Sequence, residues 1–254
     1  MNLFDLTGRV AIVTGGNGGI GLGMAEGMAA AGATVVLAGR NAEKGAAGVK
    51  QITAAGGKAE FAAVDVANDD SCQALIDGAA QRHGRLDILV NNAGINIRKP
   101  PDVATPAEWR TVIETNLSSA FVCTHAVYPH MKKAGGGKVI NIGSMMSIFG
   151  AAFAPAYAAS KGGIVHFSRA CATAWAKDNI QVNAILPGWI DTDLTKGARR
   201  EVQGLHERVL GRTPAGRWGD PKDFAGIAVF LASAASDFVT GIAIPVDGGF
   251  SVQG

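Results

Sequence analysis

The chain holds only two tyrosines, and each is followed four positions later by a lysine: Tyr128 with Lys132, and Tyr157 with Lys161. On a helix, residues four apart share a face, so each pair sets an ammonium beside a phenol. A free tyrosine titrates near ~10 and is a poor base at neutral pH. Lowering that value by about 3 units takes roughly 4 kcal/mol of preference for phenolate. One ammonium at about 4 Å supplies a Coulomb term of that order at an effective dielectric of about 20. The chemistry such a pair offers is proton transfer to or from an oxygen.

Upstream residues separate the two pairs. Thirteen residues before Tyr128 stands Thr115, inside the helix-like stretch Ala107–Lys133; on one helix those two lie about 20 Å apart and share no substrate. Thirteen residues before Tyr157 stands Ser144, directly after an apolar run, with Gly150 and Pro155 between them. Those breakers let the chain fold back, so hydroxyl and phenol can converge on one carbonyl oxygen. Tyr128 therefore reads as structural and Tyr157 as the acid–base candidate, with Lys161 its tuner and Ser144 a hydrogen-bond donor. A metal mechanism lacks ligands: His83, His125, His130, His166 and His206 show no i,i+4 pair and no His-Glu-x-x-His.

The elements that must position these groups follow from the apolar pattern. The runs Val10–Val13, Val35–Ala38, Ala59–Val64, Leu86–Val90, Lys138–Ile142 and Gln181–Leu186 read as buried strands, separated by Ala-rich segments of helical length such as Gly18–Ala31 and Ala42–Ala55. That alternation predicts an α/β fold: a Rossmann-like, doubly wound parallel sheet with helices on both faces, in one domain over residues 1–254. The polar, Arg- and Gly-rich stretch 190–219 reads as a substrate flap.

Of 254 residues 35 are glycine, but without a period of three, and 9 are proline, which excludes collagen and low-complexity disorder. A net charge of +2 makes no case for nucleic acid. No uncharged apolar stretch of about 18 residues occurs, and the first residues lack the order of a signal peptide. Three scattered cysteines, Cys72, Cys123 and Cys171, make neither a disulfide framework nor a zinc site. A cytoplasmic protein is expected.

Directly after the first strand come Gly15, Asn17, Gly18, Gly19, Ile20 and Gly21, in the spacing Gly15-x-x-x-Gly19-x-Gly21. Such a turn into a helix lets backbone N–H groups approach a pyrophosphate. At the end of the second strand, where an acid would select NAD, stand Gly39 and Arg40; a guanidinium grips a 2′-phosphate bidentately. NADP(H) is the expected cofactor, with NAD(H) possible. Asp65 and Val66 after the third strand, and Asn92, Ala93 and Gly94 after the fourth, stand at strand ends where open α/β sheets bind ligands.

Together with Asn116 and Pro187-Gly188, these motifs resemble the short-chain dehydrogenase/reductase family over essentially the whole chain. The resemblance implies a sheet of about seven strands, a homotetramer, and a catalytic tetrad of Asn116, Ser144, Tyr157 and Lys161. In it Asn116 holds a water linking Lys161 to solvent, Tyr157 and Lys161 also touch the cofactor, and Ile190 and Thr192 hold the nicotinamide carboxamide. One departure is Gly18, at the place where NADP-dependent relatives often carry a basic residue.

Two segments, Asn92–Arg98 and Arg212–Gly219, together with Gly39-Arg40-Asn41, resemble the gluconate 5-dehydrogenase and 2-deoxygluconate 3-dehydrogenase branch, implying a sugar-acid substrate. Asn96 and Arg98 then stand where a carboxylate could be met, while Met145, Met146 and Trp189, with Phe149 and Phe153, could line an apolar pocket or be core. The alternatives are a 3-oxoacyl-carrier-protein or broad-specificity carbonyl reductase and a non-catalytic NADP sensor.

Overall fold

In the computed structural model, which describes residues 2–254, the first apolar run forms β1 (Val10–Thr14), buried throughout. It turns into α1 (Gly19–Ala30), and the alternation continues through β2 (Thr34–Gly39), α2 (Ala42–Ala54), β3 (Lys58–Ala63), α3 (Asp69–His83) and β4 (Ile88–Asn91). Next come α4 (Pro106–Ile113), α5 (Ser119–Lys133), β5 (Gly137–Ile142), α6 (Pro155–Trp175) and β6 (Ile180–Pro187). The chain ends with α7 (Asp193–Glu201), α8 (Leu205–Arg212), α9 (Ala225–Ala232) and β7 (Ala243–Val246). The strands form one parallel sheet in the order β3-β2-β1-β4-β5-β6-β7.

The two-residue period of β1 divides the core. Ala11 and Val13 pack with α1 and α9 on one face; Val10 and Ile12 pack with α3, α5 and α6 on the other. This is the doubly wound arrangement the alternating pattern predicts. The sequence runs missed β7, which is four residues long and contains Pro245. A proline lacks the N–H a central strand needs but is tolerated at an edge, and β7 is the edge.

Strand order reverses between β1 and β4, so the loops at their C-terminal ends part and leave a cleft. The stretch 190–219, read as irregular, carries α7 and α8, and its ends meet in a bridge between Ile190 and Gly219. No helix among the described residues is long and apolar enough to cross a membrane.

Candidate active site

The cleft opens where β1 hands over to α1. Gly15 (φ 63°) and Gly19 (φ 51°) take left-handed backbone there, which side chains rarely adopt. The turn is pinned from the neighbouring strand: the Asn92 amide donates to the carbonyls of Thr14 (3.0 Å) and Gly15 (3.1 Å). The Thr14 hydroxyl accepts from the backbone N–H of Asn92 (3.0 Å) and of Ala93 (3.2 Å). Thr14 went unnoticed in the sequence; its signal is a hydroxyl at the last strand position before a glycine turn.

Around the cleft lie Gly15, Asn17, Gly18, Gly19, Ile20, Asn92, Ala93, Gly94, Ser144, Tyr157, Lys161, Pro187, Gly188, Ile190 and Thr192. The structure thus gathers residues from the ends of four strands, β1, β4, β5 and β6, and from α6. The cleft, open at its mouth, encloses about 300 Å³, within the range of small-ligand sites, and a Cβ at Gly18 would meet nothing. A half-buried glycine surface lining the cleft at the N-terminus of a 12-residue helix suits a pyrophosphate, so the residues present fit a dinucleotide.

Gly21 is a correction: it faces inward, where a Cβ would come within 2.4 Å of the Gly15 carbonyl oxygen, so it serves close packing of α1 rather than ligand contact. Arg40, Asp65 and Val66 stand beyond the cleft wall, past the ends of β2 and β3. Arg40 is exposed. Asp65 accepts from the backbone N–H of Ala67 (3.1 Å) and so shapes its own turn. At Gly39 a Cβ would lie 3.0 Å from the Asn17 amide, so Asn17 fills the space of an acidic side chain. Lys44 also borders the cleft, from the first turn of α2, as do Asp193, Leu194 and Thr195, which directly follow the predicted Thr192.

The chemical end is built from β5 and α6. Ser144 follows β5 and opens a short turn, its hydroxyl accepting from the N–H of Met146 (3.1 Å). Ser147 clasps that turn to α6, donating to the Lys161 carbonyl at 2.6 Å. Asn116 sits in a π-helical turn between α4 and α5, residues Glu114–Ser118, a widening frequent at functional sites. Its amide donates to the Ile95 carbonyl (2.9 Å) and to Ser160 Oγ (3.1 Å), and its Oδ1 accepts from the Ile95 N–H (2.8 Å). Ser160 in turn donates to the Tyr157 carbonyl (2.8 Å). A Cβ on Gly94 would stand 3.2 Å from Asn116 Oδ1 and 3.6 Å from Lys161 Nζ, which places those two groups around one small space.

The electrostatics depart from the expectation of an acidified phenol. Burial pushes the Tyr157 phenol above its ordinary value, against a lowering hydrogen bond from Ser144 and the charge of Arg98. Burial also brings Lys161 down to about 8. Its ammonium donates to the Ile142 carbonyl at 2.7 Å and lies 5.7 Å from the Tyr157 ring centroid. Both groups sit at the inner end of the cleft, where desolvation outweighs the neighbouring charge.

Of the substrate candidates, Met145 is 2% exposed and packs with Leu186 and Phe250, so it is core and not lining. Trp189 bridges that cluster to the one under α7 and α8 and meets Trp218 edge-on, which also makes it a packing residue. Met146 remains partly exposed. Arg98 meets α7 beside the cleft, its guanidinium donating to Glu201 Oε2 (2.9 Å) and to the carbonyl of Leu194 (3.0 Å), a cleft-lining residue. Asn96 Oδ1 is buried without a partner among the described residues.

A family model described as enoyl-(acyl carrier protein) reductase matches residues 15–251. The chain is 43% identical to a 2-dehydro-3-deoxy-D-gluconate 5-dehydrogenase of Escherichia coli, covering 98% of each chain. It is 40% identical to a gluconate 5-dehydrogenase of Gluconobacter oxydans, covering 99% of this chain and 98% of that one. The fold superposes with a TM-score of 0.93 on a Burkholderia cenocepacia gluconate 5-dehydrogenase solved in complex with NADP and tartrate, at 41% identity and 98% coverage of both. With the glycine turn, the Ser144, Tyr157 and Lys161 cluster and the seven-stranded sheet in place, the chain belongs to the short-chain dehydrogenase/reductase family of oxidoreductases.

Proposed function

We propose that this protein is an NADP(H)-dependent oxidoreductase that interconverts a ketone and a secondary alcohol on a sugar acid. The observation that carries the reading is the meeting of Ser144, Tyr157 and Lys161 at the end of the glycine-walled cleft. When bound there, the nicotinamide supplies or accepts a hydride.

In the reducing direction the Ser144 hydroxyl holds the carbonyl oxygen and Tyr157 gives that oxygen a proton. A phenol kept neutral by burial is the right form for a donor. Lys161 sits behind it as the charge that eases loss of the proton. Asn116 is a positioning residue: its amide is spent on Ile95 and Ser160, so a water relay to Lys161 would rest on its backbone carbonyl. Ile190 and Thr192 flank the carboxamide position, and the segment 190–219 closes over the cleft. Arg40 takes the 2′-phosphate, and the space filled by Asn17 beside Gly39 keeps an NAD-selecting acid out.

The sugar acid is argued from Arg98. Its side chain is only 15% exposed, it lies near enough to Tyr157 to influence the phenol, and it already grips a carboxylate, that of Glu201. Asn96 Oδ1 adds an unused acceptor for a hydroxyl. A second reading, a reductase of acyl thioesters, draws on the description of the matching family model and on the apolar cluster of Met146, Phe149 and Phe250. NADPH consumption with 5-ketogluconate, an acetoacetyl thioester and an aryl ketone decides between them. The sugar-acid reading expects the first to be preferred, and Arg98→Ala to raise KM for the acid about tenfold or more while sparing the uncharged ketone. Preference for the thioester would overturn it.

The partner reading is a small molecule, without nucleic acid or membrane, in a cytoplasmic homotetramer. Phe121 on α5, 55% exposed and stacked on His125, supports a face for a second copy.

A further inference from the structure

Two positions where a cation could meet a 2′-phosphate are Gly18, which has no side chain, and Arg40, which stands alone on the rim. The cleft wall holds another. Lys44 lies in the first turn of α2, where its backbone N–H is capped by Asn41 Oδ1 at 2.8 Å. A lysine is disfavoured there by the positive end of the helix dipole, so local helix physics does not account for it. Its Nζ spans the cleft mouth to Asp193 Oδ2 at 2.9 Å. Asp193 opens α7, directly after Thr192, whose methyl would stand 3.3 Å from a Cβ on Gly19. The ion pair thus ties α2 to the start of the 190–219 segment.

We propose that Lys44 is the second cation for the 2′-phosphate of NADP(H), and that Asp193 holds its place until the phosphate takes it. The proposal rests on the NADP reading above and goes beyond it. Lys44 and Arg40 flank Asn41, the N-cap of α2, on the stretch of chain that leaves the end of β2. Both partners of the ion pair are largely exposed, 60% and 79% by side chain, and exposed pairs of this kind contribute little. A phosphate with two charges and three acceptor oxygens competes well for that ammonium. Asp193 loses little on release, because a carboxylate is favoured in the first turn of α7. Left close to the phosphate it would repel it, so the exchange also moves the start of the segment away. NAD(H), lacking the 2′-phosphate, leaves the ion pair closed.

Calorimetric titration of the whole protein with NADP⁺ and with NAD⁺ tests this through binding constants alone. Lys44→Ala should weaken NADP⁺ about tenfold, the worth of one charge-assisted contact, and change NAD⁺ by less than about twofold. Asp193→Asn should tighten NADP⁺ by about twofold to fivefold, and that gain should vanish in the double variant. If wild type prefers NADP⁺ and Lys44→Ala keeps the same preference, or if Asp193→Asn weakens NADP⁺, the proposal is overturned while the cofactor reading stands. If wild type binds NAD⁺ as tightly as NADP⁺, the cofactor reading falls and the proposal with it.

Discussion

The two Tyr-x-x-x-Lys pairs lie on α5 and α6 with almost the same internal geometry: Lys132 Nζ is 5.6 Å from its tyrosine ring centroid, Lys161 Nζ is 5.7 Å from its own. Their surroundings differ. Tyr128 donates to Asp178 Oδ2 at 2.8 Å, and Lys132 bonds both the phenol oxygen (3.3 Å) and that carboxylate (3.2 Å). The hydrogen bond to Tyr128, with Asp178 behind it, raises the Lys132 ammonium above its usual range. Lys161 faces a backbone carbonyl and no carboxylate, and burial lowers it to about 8. A spacing sets two groups side by side. The dielectric and the third partner decide whether a proton can move between them.

The largest contrast is catalytic. Tyr157→Phe should cut kcat/KM by about a hundredfold to ten-thousandfold, the usual worth of a general acid, while NADPH still binds. Tyr128→Phe keeps its stacking on Trp175 and should change the rate by less than about twofold, with a melting point a few degrees lower at most. Similar losses in the two variants would break the comparison, and full activity in Tyr157→Phe would assign the proton transfer to another group.

The next contrast is in stability against pH. Lys161 titrates lower folded than unfolded, so below about 8 it is charged in both states and the fold bears the full cost of a buried charge. Between about 8 and 10.5 the unfolded chain holds the proton and the folded chain does not, so this residue makes stability rise with pH. From pH 7 to 10 the gain is roughly 2 to 3 kcal/mol. Lys161→Met should remove that rise, whatever the lost hydrogen bond to Ile142 costs at every pH. Lys132 has the opposite sign: its contribution is present below the unfolded value and is lost as pH climbs through the raised one. Denaturant midpoints of wild type and Lys161→Met from pH 7 to 10, and of wild type and Lys132→Met above about 10.5, check the two slopes. A rise that persists in Lys161→Met would assign it to another group.

Much of this was legible in the chain. The alternation of apolar runs with Ala-rich segments gave a parallel sheet with helices on both faces, and the breakers Gly150 and Pro155 set Tyr157 apart from Tyr128. What stayed hidden depends on partners far apart in sequence. Nothing near Lys44 announces Asp193, 149 residues on, and nothing in the type of Met145 says that it points into the core rather than the cleft. The pKa directions were hidden for the same reason: the notion of an acidified phenol counted the charge beside Tyr157 but could not count the water that folding removes from both groups. β7 escaped because four residues including a proline carry too little pattern.

The smallest contrast joins that correction to catalysis. If Lys161 titrates near 8, the ammonium that eases proton loss from Tyr157 is present at pH 7 and mostly gone two units higher. The reducing reaction needs both groups protonated, so kcat/KM for NADPH at saturating ketone should be flat below pH about 8 and fall up to tenfold per unit above it. This constant follows groups of the enzyme before the cofactor binds, the state to which the buried ammonium's value belongs. Lys161→Arg keeps its charge far above this range, so whatever activity it retains should lose the alkaline limb. Lys132→Arg should leave the limb in place, since its lysine stays charged throughout. An alkaline limb surviving in Lys161→Arg would assign the titration to Tyr157 itself, and the phenol rather than its neighbour would then set the working range.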